Sequence, residues 1–165
     1  MLRRGRGLRQ RIVFDCNVFF QAAISTTGPA HRLLLLVTEG RATLFASAYV
    51  LDELAALTAN PRIRTKYRLT EAELSEFFAT IRRHATIVDV VPPLFEFPRD
   101  PKDAHYVDLA LAVNAKLIVS RDKDLLSLRD AGAAEGRDFM SRYPALLILT
   151  PPEALKLIEA TQPPQ

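Results

Sequence analysis

Apolar residues in this chain come in short runs that stop abruptly at polar ones. Ile12, Val13 and Phe14 run into Asp15, and Leu117, Ile118 and Val119 run into Ser120-Arg121-Asp122. Unbroken β-branched and aromatic runs of this length predict strands buried on both faces. Further strands are expected over 43–46, 87–91 and 146–150, with the first two at 11–15 and 116–120. Between them the period changes to that of a helix. Leu33, Leu34, Leu36 and Val37 mark a helix over 31–39 closed by Gly40 at C′. Ser47 is the expected N-cap of a helix to Ala59, closed by Asn60-Pro61. A short basic helix follows over 62–67. Thr70 and Glu73 form a capping box for a helix to His84 whose apolar stripe is Leu74, Phe77, Phe78 and Ile81. Asp100-Pro101 predicts a helix to Asn114 with proline at N1. Shorter helices are expected over 17–23, 123–128 and 153–160, and residues 130–143 read as irregular. Strand–helix alternation along the whole length predicts an α/β domain: a central, mostly parallel, twisted sheet of about five strands with helices on both faces.

Composition narrows the class. With 165 residues and 48% hydrophobic content the chain suits one domain, placed at 11–160 between a basic arm (1–10, expected to be disordered) and a frayed tail (161–165). A single cysteine, Cys16, excludes an internal disulfide and points to a reducing cytoplasm. No apolar run approaches the ~18 residues of a membrane helix. The net charge of +3 comes from the arm: five arginines lie within residues 1–11, leaving seventeen basic against nineteen acidic residues beyond it. Such an arm suits nucleic-acid contact or a plain terminal extension.

Four carboxylates stand apart by position. Asp15 ends the first strand and Asp122 follows the fourth. Glu53 lies on the inward stripe of the 47–59 helix, between Val50 and Leu57, whereas Asp52 points to solvent. Asp103 is in the first turn of the helix before the fourth strand. In parallel sheets helix N-termini and strand ends share the carboxyl edge, where ligands bind. Two unit charges about 4 Å apart repel by roughly 4 kcal/mol at an effective dielectric near 20. Several such pairs consume a domain's net stability of about 5–15 kcal/mol. Protons or a cation must therefore neutralise them. Oxygen-only donors suit Mg²⁺ or Mn²⁺, and no Cys/His cluster offers a zinc site. A hard cation so held activates water for phosphoryl transfer. Asp124 reads as a first-turn helix acid or a supplementary ligand, and Asp108 as structural.

Here the chain resembles the PIN domains, in particular the toxin-type PIN proteins of toxin–antitoxin pairs. The matching stretches are IVFDCNVFF (12–20), SAYVLDEL (47–54), RDPKDAHYVDLALA (99–112), LIVSRDKDLLSL (117–128) and LLILTPPEAL (146–155). The resemblance implies a Mg²⁺- or Mn²⁺-dependent ribonuclease with Asp15, Glu53, Asp103 and Asp122 as the catalytic, metal-holding acids. It implies that Asn17 orients Asp15 by a hydrogen bond and that the Ser120 hydroxyl supports the site. It also implies an antitoxin partner and a homodimer. Two residues depart from the family pattern: Ala104 stands where relatives often carry a second acid, and Cys16 where threonine is usual.

Substrate phosphates require positive charge around an acidic hole. Arg62, Arg64, Lys66 and Arg68 form one basic segment, and Arg99, Lys102 and Arg121 lie beside the acids. The 62–68 segment reads equally well as a solvated face, and His105 as an exposed helix histidine. No aromatic stacking platform is evident along the chain. Two functions follow: a metal-dependent endoribonuclease, or a PIN-fold binding module with little catalysis acting through an antitoxin or RNA. A phosphatase of the haloacid-dehalogenase type ranks lower, because Asn17 stands where its general acid is needed.

Overall fold

The two apolar runs become the centre of a parallel sheet. The computed structural model describes residues 9–161. The first run forms β1 (Gln10–Phe14) and the second β4 (Leu117–Val119), paired in parallel with Phe14 opposite Val119. Both are buried at Ile12–Phe14 and 117–119, as expected of strands covered on both faces. β2 (Ala42–Ser47) flanks β1, β3 (Thr86–Val88) flanks β2, and β5 (Leu147–Leu149) flanks β4. The order is β3-β2-β1-β4-β5, and every neighbouring pair is parallel. The chain moves outward from β1 to β3 and then returns past β1 to β4. The carboxyl ends of β1 and β4 therefore form the sheet's topological switch point, where a crevice opens between helices on opposite faces.

The helices are α1 (Cys16–Ile24), α2 (Pro29–Thr38), α3 (Ala48–Ala59), α4 (Pro61–Tyr67), α5 (Glu71–His84), α6 (Ala104–Ala112), α7 (Lys123–Ser127), α8 (Ala134–Arg142) and α9 (Pro151–Ala160). The expected caps are present. Ser47 accepts the amide of Val50, Thr70 and Glu73 close their box, and Gly40 follows α2 in the left-handed region at φ 73°. α6 packs against β1, β2 and β4, whereas α1 and α9 pack against α2. Among the described residues no helix is long and apolar enough to cross a membrane.

Several boundaries differ from the sequence expectation. Gln10, assigned to the arm, already pairs with Ala42. Arg11 is held in place: its guanidinium donates to the Val113 carbonyl at 2.6 and 2.9 Å and covers the Phe45 ring. The rest of the arm (1–8) and the tail beyond Thr161 lie outside the described residues. β3 stops at Val88 because its partner β2 ends at Ser47, and Val90 is 84% exposed. α6 begins at Ala104, not after Pro101. The Asp100 carboxylate accepts the Lys102 amide, and the Asp100 carbonyl accepts the Asp103 amide, both at 3.1 Å. That turn satisfies the donors a helix start would leave open. The stretch read as irregular contains α8, whose large buried side chain is Phe139.

Asp108 proves structural. One of its oxygens accepts the amides of Leu94 (2.8 Å) and Phe95 (2.7 Å), fixing the strap that carries Phe95 onto Phe139 and Tyr143. Replacing Asp108 with Ala strands both amides. The expected loss is about 2–3 kcal/mol of unfolding free energy in a urea titration, whereas Asp108→Asn keeps an acceptor and loses less.

Candidate active site

Asp15 is the fixed point of the switch-point crevice. It leaves β1 and serves as N-cap of α1, with one oxygen accepting the Val18 amide at 2.8 Å. Its other oxygen accepts the Ser120 hydroxyl and the Arg121 amide (3.3 Å). The residue is only 2% exposed. Burial raises its pKa, the three donors oppose that rise, and the Asp122 charge adds to it. An ionised carboxylate offers about four lone-pair sites, so three donors leave room for one more partner.

Ser120 ties this acid to the next. While donating to Asp15, its hydroxyl accepts the Asp122 amide at 2.9 Å. Asp122 in turn caps α7, one oxygen accepting the amides of Asp124 (2.8 Å) and Leu125 (3.3 Å). Its second oxygen takes no part in that cap. Asp124 sits in the first turn of α7 and its carbonyl accepts the Ser127 hydroxyl.

Asp103 completes the group. It is the N-cap of α6 but makes no side-chain capping bond. Its Oδ2 is buried without a hydrogen-bond partner. Burial first, then hydrogen bonding to Asp122, then the charges of Asp122, Asp100 and Asp15 push its carboxyl up to about 8. Three aspartates from three segments thus act on one another at the ends of β1 and β4.

Glu53 stands to one side. Its field reaches Cys16, Tyr106 and His105, while the Tyr49 hydroxyl lies within its hydrogen-bonding reach. The Tyr106 hydroxyl accepts the Cys16 amide at 3.0 Å, and the charges of both Asp15 and Glu53 act on it. Burial raises the Cys16 thiol to about 11, so it remains a neutral thiol.

Two expectations need correction. Asn17 is exposed and does not orient Asp15; the Ser120 hydroxyl and two backbone amides do so. His105 is half-buried, with Nε2 2.6 Å from the Ser47 hydroxyl, and burial lowers its pKa. Among the predicted cations, Arg64 pairs with Glu71 (3.2 Å), and Arg99 pairs with Glu135 (3.1 Å). The side chains of Arg62, Lys66, Arg68, Lys102 and Arg121 are exposed.

A family profile described as PIN domain matches residues 11–124. The chain belongs to the PIN-domain family. The matched span contains all four predicted acids and Ser120. The uncharacterized protein MJ1680 of Methanocaldococcus jannaschii is 28% identical over 123 residues, which cover 74% of this chain and 77% of that protein. A solved structure, VapBC2 from Rickettsia felis bound to a DNA fragment from their promoter, matches with a TM-score of 0.50 at 16% identity. The match covers 86% of this chain and 98% of that one. The latter likeness is one of fold.

The PIN-domain acids offer oxygen donors alone, which a hard cation prefers. Among the described residues no three Asp, Glu, His or Cys side chains already form a metal-holding group. The donor chemistry nevertheless fits: all-oxygen ligands, a buried Asp103 oxygen without a partner, and an acid pair that needs a proton when no cation is present.

That proton sets a pH signature. The Asp103 carboxyl rises from 3.8 to about 8 on folding. Its contribution to stability is whole below pH 3.8 and is lost as pH climbs through about 8. In chelator at pH 8.5, Asp103→Asn is expected to raise Tm by roughly 2–4 °C, the effect of about 1 kcal/mol in a domain of this size. At pH 4 the same substitution changes little. Equal effects at the two pH values in thermal melts would contradict this assignment.

Proposed function

We propose that this PIN domain is a metal-dependent endoribonuclease acting as the toxin of a toxin–antitoxin pair. The observation that carries the reading is the Asp103 carboxyl at the sheet's switch point, which has one oxygen buried without a partner and is acted on by Asp122 and Asp15. Asp15, Asp103 and Asp122 would hold Mg²⁺ or Mn²⁺, with Glu53 as the outlying fourth acid. Such an ion supplies a nucleophilic water and charge neutralisation for phosphodiester hydrolysis.

The chain's own residues have separable tasks. Ser120 and the Val18 and Arg121 amides orient Asp15. The α7 amides fix one oxygen of Asp122 and so aim the other. The exposed side chains of Arg62, Lys66, Arg68, Lys102 and Arg121 are the cations left to meet substrate phosphates. RNA, rather than another phosphodiester, rests on the likeness to toxin-type PIN proteins, and so do a homodimer and a cytoplasmic setting. An antitoxin partner is supported by the fold shared with the VapBC2 structure. An arginine from that partner would suit the crevice by charge-assisted pairing with the same acids.

RNA cleavage followed across a Mn²⁺ titration tests the reading. Chelator should abolish cleavage, and Asp15→Asn should lower its rate by about 100-fold or more. RNA left intact at saturating Mn²⁺ but tightly bound would replace the enzyme with the binding-module alternative, which the alanine at position 104 favours. Ser120→Ala provides a check independent of turnover. It is expected to weaken Mn²⁺ binding about 10- to 100-fold in calorimetric titration, the usual cost of losing the group that orients a ligand.

A further inference from the structure

Three rings run in series from a buried position beside Asp15 to an exposed one. Tyr106 is buried, with its hydroxyl on the Cys16 amide next to Asp15. His105 packs on it with ring centroids 6.1 Å apart, and Tyr49 packs on His105 at 4.8 Å with a 52° tilt. The series ends in the open: Tyr49 is 46% exposed. The last ring is braced on two sides. His105 is held by the Ser47 hydroxyl at 2.6 Å, and Ser47 is itself fixed as the N-cap of α3. The Tyr49 hydroxyl faces Glu53, one helical turn further along α3.

An aromatic ring positioned in advance against His105, with much of its surface open, is suited to stacking. It binds a flat partner without first losing rotamer freedom. We propose that Tyr49 is a nucleobase-stacking residue, taking an unpaired base of a single-stranded RNA whose phosphodiester lies at the acids. The proposal rests on the ribonuclease reading for its substrate, single-stranded RNA, and adds to it the residue that takes the base. Stacking needs a free base face, which duplex RNA does not present, and it tolerates any base because every base has one. This ring is the aromatic platform that the linear sequence conceals. Tyr49 and His105 are 56 residues apart and meet only because α3 and α6 both start at the carboxyl edge.

Binding measured without turnover tests it. Fluorescein-labelled single-stranded RNA of mixed sequence is titrated in Ca²⁺ and read by anisotropy. Parallel arms contain the same strand annealed to its complement and an abasic ribose-phosphate strand of equal charge. Tyr49→Ala is expected to weaken single-strand binding roughly 5- to 100-fold, the span of base–aromatic stacking. It should leave the abasic and duplex arms unchanged. Tyr49→Phe and Tyr49→Trp retain a ring and should bind within about twofold of the parent. Thermal melts check that each variant is folded, and the two ring-retaining variants decide the issue if Tyr49→Ala is not. Unchanged single-strand binding in Tyr49→Ala overturns the proposal. So does equal weakening in the abasic arm, or a Tyr49→Phe as weak as Tyr49→Ala, which would reduce Tyr49 to a support for Glu53. A protein that binds single strands through Tyr49 yet cleaves nothing would sink the nuclease reading instead. One that cleaves normally with no Tyr49 dependence would sink only this inference.

Discussion

One hydroxyl joins the two strand ends on which the crevice depends. Ser120 donates to Asp15 and accepts from the Asp122 amide, so the carboxyl ends of β1 and β4 are linked through a side chain as well as through the sheet. The adjacent backbone bond, Asp15 amide to Val119 carbonyl at 3.1 Å, extends the ladder to the last residue before the turn. A carboxylate as buried as Asp15 is costly unless its oxygens are paired. The hydroxyl and two amides supply that pairing, and all three come from backbone or side chains the turns already fix. The acid is therefore oriented before any ligand arrives. Pre-set orientation of this kind lets a loop-borne ligand act with the accuracy of one on a strand.

The second constraint is repulsion that the fold does not relieve. Asp103 caps no amide, and Asp122 spends only one oxygen on α7. Both therefore keep an oxygen turned toward the other. In the metal-free protein a shared proton is the cheapest remedy, and Asp103 accordingly holds one to about pH 8. The proposed hard cation would compete with that proton for the same oxygens, and the arrangement is least comfortable with neither. Local discomfort of this sort at one place in an otherwise consistent fold is how functional sites commonly differ from the rest of a domain.

Local signals were legible where a single residue does its work with near neighbours. The Ser47 cap, the Thr70–Glu73 box and the apolar runs of β1 and β4 all act within a few positions, and all stand as read. The general α/β architecture followed from their alternation, and the sheet proved parallel throughout. What escaped depends on distant partners. α8 carries little apolar surface, and its place is set by Phe139 meeting Phe95 and by Gly136 lying against the Asp130 carbonyl, where a Cβ would come within 2.1 Å. α6 starts later than Asp100-Pro101 predicts because the Asp100 turn itself accepts the Lys102 and Asp103 amides. Asn17, two positions from Asp15, makes no bond to it, whereas Ser120, whose support of the site the family resemblance implies, reaches it from 105 positions away.

The position after Asp103 shows how packing shapes the proposed site. Ala104 is buried in the core at the first position of α6. A carboxylate at so buried a position would be costly unless donors met it. With alanine in place, α6 contributes one acid to the crevice, and its next two residues serve other ends. His105 braces the rim and Tyr106 supports the Cys16 amide beside Asp15. Glu53 acts on Cys16, Tyr106, His105 and Tyr49 rather than on the aspartates, so in the proposed site it would meet what enters beside Tyr49 rather than share the aspartate oxygens. The division between an inner aspartate trio and an outer glutamate–tyrosine edge thus follows from which side chain of α6 faces the core.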